Sequence, residues 1–543
     1  MFIFFPKKPK NPKLNYLVLL SILCLQSFHC NNNQIHKNYL LITLDTQRAD
    51  YIGAYGDFSI QTPNIDALAE NGILFKNCIS PIPITLPAHA VMFYSLYPHQ
   101  MHLYNNGQIH KPDKNTLSIA QFFKAQGFTT AAFVSLGVLK EKFGLNAGFD
   151  TYQGNFPQGD YYLNAEEVNR EVLPWLDQEG QNRFFLWVHY SDPHSPYYPP
   201  DIPFPLKVSV NNKEIKNLHL DKRIIKAKIP LKEGKNTIEY RLICDHIENI
   251  GLNNFAFFDI FDFQKMISKE RIPYVIKKGL IEDPEGRIQF TESTGVIEIM
   301  HSGQPTRINH SLRGKVFWPV EDRPLYYKKE VEYMDSQIGF LIKKLKELDL
   351  FDQTQILIVG DHGEGLGEHL NFSGNPDFGH VNFLYKNYTN VPLIIYDPKE
   401  INPGTRIDSV VSLLDIAPTI LETMGYDSLS FHQGRNLLEL KEDKDHILWL
   451  QTHKPQAEKN MFAVVSFPWR LIYIPKQKDF KLYNIQNDPD QTNDVYERNK
   501  SSSEITNLKQ KLIEKTRDIL KNKKFSGTNK KTREMLRALG YIK

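Results

Sequence analysis

The sequence predicts an α/β fold built on a largely parallel sheet, and two observations carry that expectation. Short, continuous apolar runs recur along the chain, as strands buried on both faces require. Segments of helical periodicity lie between them. A third observation adds a separate part. From about residue 204 to 310 the pattern turns to apolar–polar alternation, the mark of antiparallel strands.

The first run, residues 39–44, ends at Asp45. Residues 118–125 follow as a helix that Gly127 stops, and residues 129–134 as a second strand. Residues 184–189 form a third. Residues 326–348 have helical spacing, with Val331, Met334, Ile338, Leu341, Ile342 and Leu345 on one face. Residues 355–359 and 391–395 read as two more buried strands. In the alternating region, Leu206, Val208 and Val210 share a face, Ile224, Ala227 and Ile229 follow, and Glu233-Gly234 reads as a turn before the strand at 237–242. After about residue 444, short strands precede a helix over residues 503–520.

These breaks divide the chain into a leader (1–30), a first part of an α/β core (36–203), an inserted β-rich domain (204–310), a second part of the core (311–443) and a C-terminal α+β subdomain (444–543). In the leader, Lys7, Lys8, Lys10 and Lys13 precede an apolar run over residues 17–25, a secretory signal pattern too short to span a bilayer comfortably. Cys30, followed by Asn31-Asn-Asn-Gln34, resembles a bacterial lipoprotein junction. The sequence therefore predicts export, to the periplasm, outer envelope or medium, with a lipid anchor at Cys30 or an ordinary signal peptide.

Apolar residues make up 41% and charged residues 23% of the 543, which excludes a disordered, collagenous or multi-span membrane protein. A net charge of +3 gives no case for nucleic acid as a partner. Four cysteines, none in a CxxC pair, make neither a disulfide framework nor a structural zinc site.

Ligands of open α/β sheets bind beyond the carboxyl ends of the strands, and here those ends carry carboxylates and imidazoles. Asp45 follows the first strand, Gly360-Asp-His-Gly-Glu364 the strand at 355–359, and His189-Tyr-Ser-Asp-Pro-His194 the strand at 184–188. Asp and His are ligands for divalent metals. Asp45 alone would read equally as a helix N-cap. Thr85-Leu-Pro-Ala-His89 opens a helix, where a hydroxyl sits in a field that favours anions. A metal beside Thr85 would turn it into a nucleophile. A plain helix cap is the other reading of Thr85.

Taken together, these segments resemble the sulfatase family within the alkaline phosphatase superfamily, over residues 38–202 and 311–543. The residues that carry the likeness are Leu44-Asp-Thr-Gln-Arg-Ala-Asp-Tyr-Ile-Gly-Ala-Tyr-Gly56, Thr62-Pro-Asn-Ile-Asp66, Thr85-Leu-Pro-Ala-His89, Gly360-Asp-His-Gly-Glu364, Gly379-His380 with Tyr385 and Val391-Pro392, Leu413-Leu-Asp-Ile-Ala-Pro-Thr419, and Leu482-Tyr-Asn-Ile-Gln-Asn-Asp-Pro489. The resemblance implies an α/β/α sandwich with a large mixed sheet. It implies that Asp45, Asp361 and His362, with Thr85, ligate one or two divalent cations, and that Thr85 is the nucleophile. By family likeness the cation is calcium; two carboxylates with one histidine suit zinc or manganese. His194 and His380 would contact the ester or its leaving group, His89, in the place of a family arginine, would be a further catalytic residue, and His189 is a further substrate contact.

Three departures alter the expectation. Thr46 stands where many sulfatases have a second Asp ligand, and His362 where they commonly have Asn. Thr85 cannot become the formylglycine that sulfatases make from Cys or Ser. A sulfate, phosphate or phosphonate ester of a small molecule, glycan or lipid therefore remains the expected substrate class. A phosphoryl-group transferase of the cell envelope and a non-catalytic surface protein binding a glycan or partner are the alternatives.

Overall fold

The computed structural model describes residues 38–538 apart from short internal stretches, the longest of them 243–255. The basic residues of the leader, its apolar run and Cys30 lie outside that range. Among the described residues, no helix is long and apolar enough to cross a membrane.

The core elements in chain order are β1 (Asn38–Leu44), α1 (Pro63–Glu70), β2 (Ile73–Ile79), α2 (Thr85–Tyr94), α3 (Ile119–Ala125), β3 (Thr129–Phe133), β4 (Thr151–Gln153), α4 (Ala165–Glu179) and β5 (Phe184–Tyr190). After the insertion come α5 (Arg323–Glu347), β6 (Thr354–Gly360), β7 (Gly365–Leu370), β8 (Pro376–Gly379), β9 (Leu393–Tyr396), β10 (Thr405–Ser412) and α6 (Ile416–Thr423). One sheet of nine strands runs through the core in the order Asn390–Val391, β2, β9, β6, β1, β5, β3, β4, with β10 against β2.

The sheet is mixed, as the resemblance implies, with most of its pairings parallel. β6, β1, β5, β3 and β4 run parallel. β9 runs antiparallel to β6 and to β2. The run expected as one strand over residues 391–395 is broken at Pro392. Proline has no N–H for a ladder, and its carbonyl instead accepts from Gly360 N at 3.0 Å.

Successive strand residues point to opposite faces, so continuous apolar strands make two cores. Leu41, Trp187 and Val359 pack on one side with α2, α3 and α6. Leu40, Ile42, Val188 and Ile358 pack on the other with α1, α4 and α5. The result is an α/β/α sandwich. The face expected for α5, from Val331 to Leu345, is the face it buries. α2 is buried on every side, which is why its sequence shows no polar stripe.

The insertion folds as two antiparallel sheets. Val208, Ile238, Tyr240, Ile297 and Ile299 from one pack against Ile229, Ile308, Leu312 and Phe290 from the other. Two expectations change here. The strand Ile224–Leu231 and the strand Gly234–Leu242 belong to different sheets, so Glu233-Gly234 bridges the sandwich rather than closing a hairpin. The last strand runs Thr306–Val316. The expected boundary at residue 310 therefore falls inside a paired strand, where a chain cannot leave a domain without breaking the ladder. His310 is packed in this core, its Nε2 2.8 Å from the Tyr240 hydroxyl. The C-terminal part is a four-stranded antiparallel sheet, residues 448–484, covered by a helix over Ser503–Asn522.

Candidate active site

β1, β5 and β6 are neighbours in register, with Leu44 opposite both Gly360 and Tyr190. They therefore stop at one level, and the residues that follow them meet. Asp45 N donates to Tyr190 O at 2.9 Å, and Asp361 N to Leu44 O at 3.2 Å. One oxygen each of Asp45 and Asp361 and one nitrogen of His362 lie within 4.8 Å of one another. All three side chains are fully buried.

The backbone aims these groups. Thr46 adopts a left-handed conformation, φ 55°. That turn lets Thr46 N donate to Asp361 Oδ1 at 3.1 Å, where His362 N also donates at 2.7 Å. The Tyr327 hydroxyl pins the turn by donating to Thr46 O at 2.7 Å and accepting from Arg48 N at 3.0 Å. The Thr46 hydroxyl donates to the Asp45 carbonyl at 2.7 Å, which holds that side chain against the backbone. Gly363 allows the chain to pass Asn387, whose carbonyl oxygen would lie 2.0 Å from a Cβ.

Asp361 Oδ2 and both carboxylate oxygens of Asp45 are buried without a hydrogen-bond partner. Burial raises the pKa of Asp45, and of Asp361 further because Asp45 lies beside it. Burial pushes His362 and His189 down to about 3, and His89 well below its usual value. The pocket is thus two orphaned carboxylates among neutral imidazoles. Two buried carboxyl groups with raised pKa values ionise together only with a compensating cation beside them. Two carboxylate oxygens and one imidazole nitrogen form a donor set that fits a divalent ion. His362 Nδ1–H donates to Gly363 O at 3.0 Å, which leaves Nε2 with its lone pair for such a role.

Thr85 is the first residue of α2. The cap position belongs to Ile84, and no side chain caps the helix. The Thr85 hydroxyl is therefore not spent as a cap; it lies 3.3 Å from His362 Nε2. The next amide, Leu86 N, donates to Asn106 Oδ1 at 2.8 Å. Nor does Asp45 cap a helix: the short turn after it begins behind Arg48.

The four other histidines divide into two pairs. The rings of His194 and His380 lie 5.2 Å apart, and His380 is 4.5 Å from the ring of His362. These two join the Thr85 corner. His89 does not meet the expectation of a catalytic contact, because both its nitrogens are engaged: Nδ1 with Thr85 O at 2.8 Å and Nε2 with Thr43 Oγ1 at 3.0 Å. Burial has turned the replacement for an arginine into a neutral brace. His189, expected at the substrate, lies beneath the site. Its Nδ1 is 2.7 Å from Ser135 Oγ and its Nε2 is 3.4 Å from Asp45 Oδ2.

Sequence reasoning left Glu364, Tyr197 and Tyr327 without roles. Glu364 is fully buried, and burial raises its pKa to about 8, so it holds a charge in the neutral range only with a protonated imidazole such as His380 beside it. Its place in Asp361-His-Gly-Glu364 was the available signal. The two tyrosines have none, since only the fold brings them to the site.

A buried hydroxyl at a helix start, beside carboxylates and imidazoles beyond the ends of a mixed sheet, is the arrangement that the resemblance to the alkaline phosphatase superfamily implies. The comparisons narrow the class. The family model described as Sulfatase matches residues 37–426, and that described as N-sulphoglucosamine sulphohydrolase, C-terminal, matches residues 374–518. The chain belongs to the sulfatase family and is a hydrolase of that family. It is 22% identical to an N-acetylglucosamine-6-O-sulfatase of Bacteroides thetaiotaomicron over 93% of this chain and 91% of that protein. A structure solved with its substrate D-glucosamine-2-N,6-O-disulfate superposes with a TM-score of 0.58 at 19% identity, covering 90% of this chain and 99% of that one. A phosphonate monoester hydrolase of Agrobacterium radiobacter superposes with a TM-score of 0.53 at 16% identity, covering 90% and 96%.

Proposed function

We propose that this chain cleaves sulfate, phosphate or phosphonate esters of saccharides with Thr85 as the nucleophile and a divalent cation held by Asp45, Asp361 and His362. The observation that carries this reading is the Thr85 hydroxyl 3.3 Å from His362 Nε2, in the same corner as the two orphaned carboxylates. When bound, the cation supplies an electrophile that lowers the pKa of the neighbouring hydroxyl and offsets the carboxylate charge.

Thr85 Oγ1 gives up its proton to solvent and forms a bond to the central sulfur or phosphorus, and the bond to the sugar oxygen breaks. That oxygen takes a proton from the His194–His380 pair and leaves as an alcohol. Water then attacks the ester on Thr85, releases the inorganic anion and returns the hydroxyl. Threonine cannot form a formylglycine, so turnover proceeds through a true ester on Oγ1. The saccharide alcohol is supported by the relatives whose names specify sulfated sugars. The leader supports action outside the cytoplasm. A Cys30→Ser chain released from the membrane fraction would support a lipid anchor there.

The test is a panel of 4-nitrophenyl sulfate, bis(4-nitrophenyl) phosphate, 4-nitrophenyl phenylphosphonate and N-acetylglucosamine 6-sulfate. It is read with mass spectrometry of the Thr85 peptide after rapid acid quench. A sulfate or phosphoryl group on Thr85 is expected. Turnover on any of these esters with the Thr85 peptide never modified, and unchanged in Thr85→Ala, would overturn the assignment.

A further inference from the structure

His380 stands where no strand holds it. The chain leaves the sheet after Gly360, passes Glu364, runs out and back through β7 and β8, and returns at Gly379. The residue after His380, Val381, sits at φ 75°, a conformation that a β-branched side chain rarely adopts. A ring on such a turn needs a side-chain anchor to keep one orientation.

That anchor is Glu364. Its Oε2 accepts from His380 Nδ1 at 2.8 Å, and its Oε1 accepts from the Tyr197 hydroxyl at 3.0 Å. Tyr197 in turn packs edge-on against Tyr327, with ring centroids 5.7 Å apart. Tyr327 is the residue that pins the Thr46 turn. One continuous set of contacts therefore runs from the turn behind Asp45 to the imidazole across the pocket.

We infer that Glu364 is a positioning residue for His380: it fixes the ring's tautomer and tilt, so that Nε2 is the atom that exchanges a proton with the leaving oxygen. The inference rests on the role given to His380 above. Glutamine at this place offers one acceptor and one donor to two donors, Tyr197 O–H and His380 Nδ1–H, so one of the two bonds must fail.

A double-mutant cycle tests this, with Glu364→Gln, His380→Asn and the pair, followed on the best ester of the panel and on its 4-nitrophenyl counterpart. Glu364→Gln is expected to lower kcat about 10- to 100-fold, the usual effect of losing a partner that orients a functional imidazole. KM and metal content should stay near wild type. The loss should be larger for the sugar ester, whose leaving group needs the proton, than for 4-nitrophenolate. In the His380→Asn background, Glu364→Gln should cost nothing further. Losses that multiply would overturn the inference while leaving the role of His380 intact. A His380→Asn enzyme with undiminished kcat would instead refute that role, and the inference with it. Tyr197→Phe keeps the Glu364–His380 bond and guards against misfolding of Glu364→Gln. It should reduce kcat less than Glu364→Gln does, and an equal or larger loss would count against the assignment.

Discussion

The hydroxyl of Thr85 lies 3.3 Å from Nε2 of His362, across 277 residues of chain. The two side chains reach each other because β1 and β6 end at one level and the start of α2 is buried against them. Neither the helix nor the strand needs that hydroxyl for its own stability, which is the physical reason to look for its use in chemistry.

Thr85→Ala should therefore abolish turnover while leaving the unfolding midpoint nearly unchanged, since no cap is lost. Thr85→Ser should keep partial activity: the oxygen remains, but the methyl that limits its rotamers is gone. Steady-state kinetics and a denaturant titration on the same preparations check both. Full activity in the alanine variant would remove Thr85 from the mechanism.

Asp361→Ala should lose bound divalent metal, because it deletes a ligand oxygen and half of the carboxylate charge. Elemental analysis of dialysed protein gives the metal content. Added calcium, zinc or manganese should raise the melting temperature of the wild type by mass action on the folded state, and the variant should not respond.

Thr43→Val probes the brace behind the site. The Thr43 hydroxyl accepts from Trp187 Nε1 at 2.8 Å and lies 3.0 Å from His89 Nε2. Valine has the same shape but leaves two buried polar groups unpaired, at about 1–3 kcal/mol each. A loss of about 2–6 kcal/mol in unfolding free energy is expected, with metal content retained. A loss well under 1 kcal/mol would mean that water or a shift of His89 replaces the bond.

His110 makes stability depend on pH. It is buried, with neither ring nitrogen bonded, and burial lowers its pKa to about 4. A folded-state value below the unfolded one of about 6.5 means that the unfolded chain binds the proton more readily. The stability tied to His110 is then complete above pH 6.5 and drains away as pH falls toward 4. The drop should be on the order of 2–3 kcal/mol, and His110→Asn should flatten it. Parallel slopes for the two proteins between pH 7.5 and 4.5, from urea unfolding, would show that His110 does not titrate differently in the fold.

The sequence by itself determined most of the elements and which candidate side chains stand at their ends. Apolar runs such as the one ending at Leu44 stay buried on both faces wherever they are placed, and the spacing from Val331 to Leu345 buries one side of any helix. Asp45, Asp361-His362 and Thr85 were legible because carboxylates, imidazoles and a hydroxyl at element ends are chemically unusual there. The tertiary structure decided pairing and environment. Strand direction depends on which edges meet, so β9 turned antiparallel and Glu233-Gly234 came to join two sheets. Burial decided the histidines: residue type cannot say which ring nitrogen is already bonded, and only the packed fold leaves His89 and His189 neutral braces while bringing His194 and His380 side by side next to His362. Glu364, Tyr197 and Tyr327 acquire their roles from neighbours far away in the chain, since a hydrogen bond is set by position in space and not by position in sequence.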